Sequence, residues 1–338
     1  MTLEIAIITT AHWSGDPRLN RHLKYLAAAG HSAELVSFAE DPRVHAVRRA
    51  LGEIARSRSS VVFLPDPETW VLGSLLARVT RKRPIIDIHE NYSAAAKARP
   101  WVPGLLRPIV SIVAAGNERI GRWVAWRALV AAPELATGTD YLATNVPDPT
   151  TMSYQPFDGS RRLVYIGDVT ESRGARTMLE VLATLDDSYD MTWIGNVSES
   201  LLDELTATAN DLGIAERLHI TGRQIHSEAW GAAAGALAGL NLLMDVPAYR
   251  DAVATKLWEY MAVGLPPIVS DLPGQRRVVG NVDPRLVCAT ADAAAEAIDS
   301  LASDVDRRER LGRVFREHVE AVWAESRPDL AVQSIVEP

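Results

Sequence analysis

Short apolar runs alternate with amphipathic stretches along nearly the whole of this 338-residue chain, in two series separated by a polar break. In the first series, period-2 or continuous apolar runs at 3–8, 33–38, 61–64, 85–88 and 128–132 read as strands, with helical patterns between them. The clearest helix opens at Asp16-Pro17, an acceptor cap followed by proline at the first helical position. It sets Leu19, Leu23, Leu26 and Ala27 on one face before Gly30 ends it. The pattern stops at Asn145-Val146-Pro147-Asp148-Pro149-Thr150 and restarts at 163–166. Further strands are expected near 191–194, 218–221, 240–243, 267–270 and 286–288. Strand-helix alternation of this kind, twice over, predicts an α/β protein of two doubly wound, Rossmann-like domains. Residues 1–147 would form the first domain, 148–160 a linker, 161–315 the second, and 316–338 a helical segment returning to the first.

Charge differs between the two series. Residues 1–150 carry 18 Lys and Arg against 14 Asp and Glu, a net +4, and the remainder a net -12. A basic half joined to an acidic one argues against general nucleic-acid binding, which needs a dominant positive footprint. The first strand lacks the basic start and cleavage site of a signal peptide, and the apolar run at 108–116 is far short of the ~20 residues that span a bilayer. A cytoplasmic location is therefore expected. The single cysteine, Cys288, leaves no disulfide framework and no cysteine-rich metal site, and reads as a small buried residue.

Three segments carry candidate chemistry. Lys256-Leu257-Trp258-Glu259-Tyr260-Met261-Ala262-Val263-Gly264-Leu265-Pro266-Pro267 follows one apolar run and precedes another. It reads as a helix with a charged pair at its start, at the strand ends where such sheets bind ligands. The turn Gly167-Asp168-Val169-Thr170-Glu171-Ser172-Arg173-Gly174 pairs a cap, Thr170, with a cation, Arg173, a combination suited to a diphosphate or to an ordinary cap with a solvated arginine. Asp87-Ile88-His89-Glu90 places a histidine just past a strand, able to bond a sugar hydroxyl, while its acidic neighbours could equally cap the next helix. The first turn, 9–16, has one glycine, Gly15, and no G-x-G-x-x-G, which weakens a dinucleotide reading. Asp251 stands eight residues before Glu259. Two turns of helix are expected to separate them, roughly 12 Å along the axis, too far for a carboxylate dyad but able to reach two ends of one extended ligand, with the N–H groups of Ala252, Val253, Ala254 and Thr255 at the helix start between them.

Together these segments resemble the retaining glycosyltransferase family 4 over nearly the whole chain. Asp16-Pro17-Arg18 with the helix ending Ala29-Gly30-His31, Asp87-Ile88-His89-Glu90, Tyr165-Ile166-Gly167 through Arg173-Gly174, and the segment ending in EYMA-x-G-x-P carry the resemblance. It implies a GT-B fold, two Rossmann-like domains facing across a cleft, and transfer of a hexosyl-type sugar from a nucleotide-diphosphate sugar to an acceptor hydroxyl with retention. No metal and no cofactor beyond the nucleotide sugar are implied. Glu259 matches the ribose-binding second acid of the family's E-x7-E pattern, and Asp251 the first acid, one methylene shorter than the usual Glu. Arg173 stands where Lys is common, Asp168 replaces a frequent Arg, and Lys256 offers a compensating cation. The resemblance gives His89, Arg173, Lys256 and Asp251 catalytic roles. It gives donor binding to Gly15, Gly167, Arg173, 252–256 and Glu259. The changes at Asp168 and Asp251 also admit a catalytically silent GT-B protein that binds a nucleotide sugar or supports a partner, and a sugar-nucleotide epimerase shares the fold but not the EYMA segment. Trp101, Arg107, Arg119, Arg122, Trp123, Trp126 and Arg127, within 97–127, suit peripheral contact with an anionic membrane at its inner face; the plainer reading is a solvated helix whose tryptophans pack inward.

Overall fold

A computed structural model describes residues 2–98 and 102–337, and places them in two compact units, 2–145 with 325–337, and 146–324. Trp101 lies outside the described residues. Unit 1 is a six-stranded parallel sheet of order β2-β1-β3-β4-β5-β6, built from β1 (Glu4–Thr9), β2 (Ser32–Ser37), β3 (Val61–Leu64), β4 (Arg83–Ile88), β5 (Arg127–Val130) and β6 (Tyr141–Leu142). Helices α1 (Pro17–Ala28), α2 (Arg43–Arg56), α3 (Pro67–Val79), α4 (Tyr92–Ala98) and α5 (Arg107–Val124) connect the strands. The strand alternation shows in the two cores. Ala6, Ile8, Val62, Leu64, Ile86 and Ile88 face Ala46, Ile54 and Trp70 on α2 and α3, while Ile5, Ile7, Val61, Phe63 and Ile85 face Leu19 and Leu26 of α1. In α1, Asp16 caps the helix by accepting from the backbone N–H groups of Arg18 and Leu19, and Pro17 opens it. Leu23 is only partly buried and Ala27 is exposed, because His22 takes the inner position between Leu19 and Leu26.

Unit 2 repeats the plan with order β9-β8-β7-β10-β11-β12, from β7 (Arg162–Ile166), β8 (Asp190–Ile194), β9 (Leu218–Ile220), β10 (Ala238–Asn241), β11 (Pro267–Ser270) and β12 (Val287–Cys288). Its helices are α6 (Ala175–Thr184), α7 (Glu199–Asp211), α8 (His226–Ala233), α9 (Thr255–Ala262), α10 (Pro273–Gln275), α11 (Ala291–Ser303) and α12 (Val305–Ser326). Residues 146–160 belong to this unit, Met152 being buried in its core and Arg316 donating to the carbonyls of Pro149 and Met152. The boundary expected at 315/316 falls inside α12, a single 22-residue helix. Beyond it, α13 (Pro328–Ser334) packs on α1, and Val332, Ile335 and Val336 are buried in the unit 1 core. Cys288 is buried and free, its thiol pushed up to about 11 by burial.

Candidate donor site and a second polar cluster

In unit 2 the strand order reverses between β7 and β10, and the loops leaving these two strands meet there. Met244 N–H donates to Ser172 O at 3.0 Å, and the hydroxyls of Ser172 and Tyr249 lie 3.3 Å apart. Gly174 makes the approach possible: it has φ +84°, and a Cβ there would stand 1.9 Å from Leu242 O. Thr170 caps the short turn Glu171–Arg173 by accepting from Arg173 N–H, so Arg173 sits ahead of α6 rather than inside it. Burial works against its charge, but Tyr165, Tyr249 and Asp168 more than offset that and hold the guanidinium above its ordinary value.

Lys256 reaches into this loop from the first turn of α9. Its Nζ lies 3.8 Å from the centre of the Tyr165 ring, buried and without a hydrogen-bond partner among the described residues. Gly167, at φ +133°, leaves room for it, since a Cβ there would stand 3.0 Å from that nitrogen. Burial, reinforced by Arg173, drives the ammonium well below its ordinary 10.5, and Asp168 and Glu259 only partly oppose this. An unpaired buried amine beside an arginine and a glycine turn is a group whose charge an anion would offset. Asp168 is bridged by Arg173 at 3.4 Å and Arg223 at 3.3 Å, so the loop remains cationic despite its carboxylate.

Glu259 is buried on α9, and its Oε1 lies 2.8 Å from Nε2 of His226 on α8. The indole N–H of Trp230 donates to the same imidazole nitrogen at 3.1 Å. One nitrogen cannot donate to Glu259 and accept from Trp230 at once, so the tautomer selects between the two bonds. Asp251 is not on the helix of Glu259, because α9 begins at Thr255. Asp251, Ala252, Val253 and Ala254 form the loop before it, so the expected helical separation of the two acids does not apply. Gly274 explains that course: a Cβ there would stand 2.6 Å from Asp251 O and 2.8 Å from Ala252 O. Asp251 is exposed and bridged to Arg277 at 3.4 Å. Ala254 and Thr255 open α9, and no side chain caps its first N–H groups.

Unit 1 has its own reversal of strand order, between β1 and β3, and a polar cluster gathers there. Asp66, after β3, accepts from Thr9 Oγ1 and from Thr10 N–H, both at 2.7 Å. His12 lies between Asp16, 2.9 Å from Nδ1, and Asp66, 3.4 Å from Nε2. Burial alone would lower its pKa, but these carboxylates and Asp87 raise it. The His89 ring meets His12 edge-on at 5.1 Å and has the Tyr92 hydroxyl 3.0 Å from Nε2. Burial lowers His89 to about 4, so it is neutral at pH 7. Asp87 does not cap a helix. It is fully buried, holds Arg18 through two oxygens at 2.5 and 3.0 Å, and has His22 at 3.3 Å; these partners overcome burial and keep its carboxyl far below the usual range. Gly15 lies under the Trp13 ring, where a Cβ would come within 2.2 Å of the ring carbons.

The sequence marks Lys256, Glu259, Arg173 and Gly167, and unit 2 gathers all four around one reversal of strand order. It does not mark His226, Trp230, Arg223 or Tyr249, nor, in unit 1, the bracketing of His12 by Asp66. Residues 152–318, all within unit 2, match the family model of glycosyl transferases group 1. Over that stretch, just under half of the chain, the sequence is similar to the group 1 glycosyl transferases. The chain has the GT-B fold. It is similar to sucrose-phosphate synthase from Thermosynechococcus elongatus, at 14% identity and TM-score 0.75 over 98% of both chains. It also resembles Anabaena HepE solved with UDP and glucose, at 10% identity and TM-score 0.69 over 99% of this chain and 98% of that one. A glycosyltransferase from Rickettsia africae matches at 13% identity and TM-score 0.63, over 95% of this chain and 94% of that one. A search of curated proteins finds no significant match.

Proposed function

We propose that this protein is a glycosyl transferase that moves a sugar from a nucleotide-diphosphate donor to an acceptor hydroxyl with retention at the anomeric carbon. The observation that carries the reading is the Lys256 ammonium, buried and unpartnered next to Arg173 and Gly167. A bound diphosphate supplies the missing counter-charge and restores the ammonium's basicity. Glu259 would then accept the ribose hydroxyls after exchanging them for His226, and the uncapped N–H groups at 254–256 would meet phosphate oxygens. The anomeric carbon-to-phosphate oxygen bond breaks and a bond to the acceptor oxygen forms on the same face. The acceptor proton passes to the departing diphosphate. Lys256 and Arg173 hold the charge that grows on that leaving group.

His89, neutral at pH 7, is suited to donate or accept a hydrogen bond with a sugar hydroxyl, the part the family resemblance gives it. In this reading no metal is required, the transferred group is a hexose-type sugar, and the enzyme works in the cytoplasm. A second reading, a catalytically silent nucleotide-sugar binder, is favoured by one observation: Asp251 is exposed and tied to Arg277. Calorimetric screening of UDP-, GDP-, ADP- and TDP-sugars tests the proposal, UDP-glucose first because HepE was also solved with it. Binding by none of them removes it. Binding without acceptor-dependent release of nucleoside diphosphate would favour the silent reading.

A further inference from the structure

Helix α5 carries an apolar row on its outer side. Ile109, Ile112, Val113, Ile120 and Trp123, with Gly116, recur at helical spacing and share one face. All five apolar side chains are exposed, Ile112 at 72% and Trp123 at 82%, and Leu105, just before the helix, reaches 94%. The opposite face is the packed one: Ser111, Gly121 and Val124 are buried, and a Cβ on Gly121 would stand 3.1 Å from Trp70 of α3. Neighbouring α3 adds Leu72, Leu75 and Val79, also exposed and also on one face. Trp126 is not part of this surface, because the Arg83 and Arg127 guanidinium groups lie over its ring, at 4.6 and 4.0 Å from its centre.

The surrounding charge indicates what covers this face. Residues 72–127 contain ten Lys and Arg but only three Asp and Glu. Asp87 is consumed by Arg18, and Glu118 by Arg122. Arg81 and Arg119 are exposed on or beside the two helices, whereas the guanidinium of Arg78 donates to the Val124 and Ala125 carbonyls at the end of α5. Among the described residues no helix is long and apolar enough to cross a membrane. Apolar residues along one side of a helix, ending in a tryptophan and flanked by unopposed cations, match a helix lying flat in a lipid interface.

We propose that the α3–α5 face of unit 1 docks on an anionic lipid bilayer. The row from Ile109 to Trp123 enters the acyl boundary, and Arg81 and Arg119 meet the headgroups. This does not depend on the nucleotide-sugar reading, and its test uses no nucleotide. The full chain is floated with vesicles of phosphatidylglycerol and phosphatidylcholine, and with phosphatidylcholine alone. The expected result is flotation with the anionic vesicles, on the order of tenfold weaker or more without the anionic lipid. Ile112→Glu with Trp123→Glu should abolish it. Arg81→Glu with Arg119→Glu, which leaves the apolar row intact, should weaken it strongly while circular dichroism stays unchanged. Trp123 emission, taken as the difference from Trp123→Phe, should shift to shorter wavelength with anionic vesicles. No flotation with anionic vesicles overturns the proposal. So does a concentration-dependent dimer in light scattering that Ile112→Glu with Trp123→Glu dissolves, if vesicles are not bound.

Discussion

Lys256 has the least satisfied side chain of the candidate donor site, and replacing it separates charge from packing. Lys256→Met keeps the stem over Tyr165 but removes the ammonium; we expect turnover to fall by about 10²-fold or more, as when one preorganised charge-stabilising group is lost, with folding intact by thermal melt. Glu259→Ala should instead weaken donor binding, read by calorimetry. His226→Ala, which frees the carboxylate, should leave that binding unchanged or tighten it. His89→Ala should chiefly lower turnover. His89 also makes stability depend on pH. Its folded value of about 4 lies below the ordinary 6.5, so the stabilisation is whole above pH 6.5 and is lost as pH falls toward 4. His22, lowered mainly by burial, acts in the same direction. Denaturant unfolding at pH 7, 5.5 and 4 should show this loss, and His89→Gln should shrink it. Lys256, Glu259 and Arg173 were readable because each sits at fixed spacing within one short motif. His226 was not, since it meets Glu259 from 33 residues away, and the Asp66 that brackets His12 lies 54 residues beyond it. No local periodicity records such a pairing.

At the scale of elements, inner strands such as β3 and β10 were legible as apolar runs because parallel strands inside a sheet are buried on both faces. The two-residue strand β6 escaped, being too short to show a period. The start of α9 was placed too early for a related reason. Pattern alone extends a helix back through Asp251-Ala252-Val253-Ala254, whereas the close approach of Gly274 to the carbonyls of Asp251 and Ala252 marks a loop. Turn chemistry gives a sharper prediction. Gly174→Ala puts a methyl group where φ is +84° and Leu242 O stands 1.9 Å away, so the β7 loop must separate from the β10 loop. We expect a loss of several kcal/mol, read by denaturant unfolding, together with loss of nucleotide affinity. Asp16→Ala removes two capping bonds and should cost about 1 kcal/mol by the same measurement.

For the whole molecule, two repeated α/β series foretold two units, but the path of the chain between them was less legible. An amphipathic helix shows which face it buries and not which core receives it, so the seating of α12 residues 305–324 in unit 2 came from the structure. Ending the chain after residue 324 would strip Val332, Ile335 and Val336 from the first core. The expected outcome is faster hydrogen exchange in β1, β3 and α1, with nucleotide binding to unit 2 preserved. Unit 1 is assembled from two stretches of chain, whereas unit 2 is one continuous stretch. During synthesis on a ribosome, residues 146–324 can close their core as soon as they emerge. The portion made first must wait, with one side of its sheet incompletely covered, until the segment at 325–337 arrives.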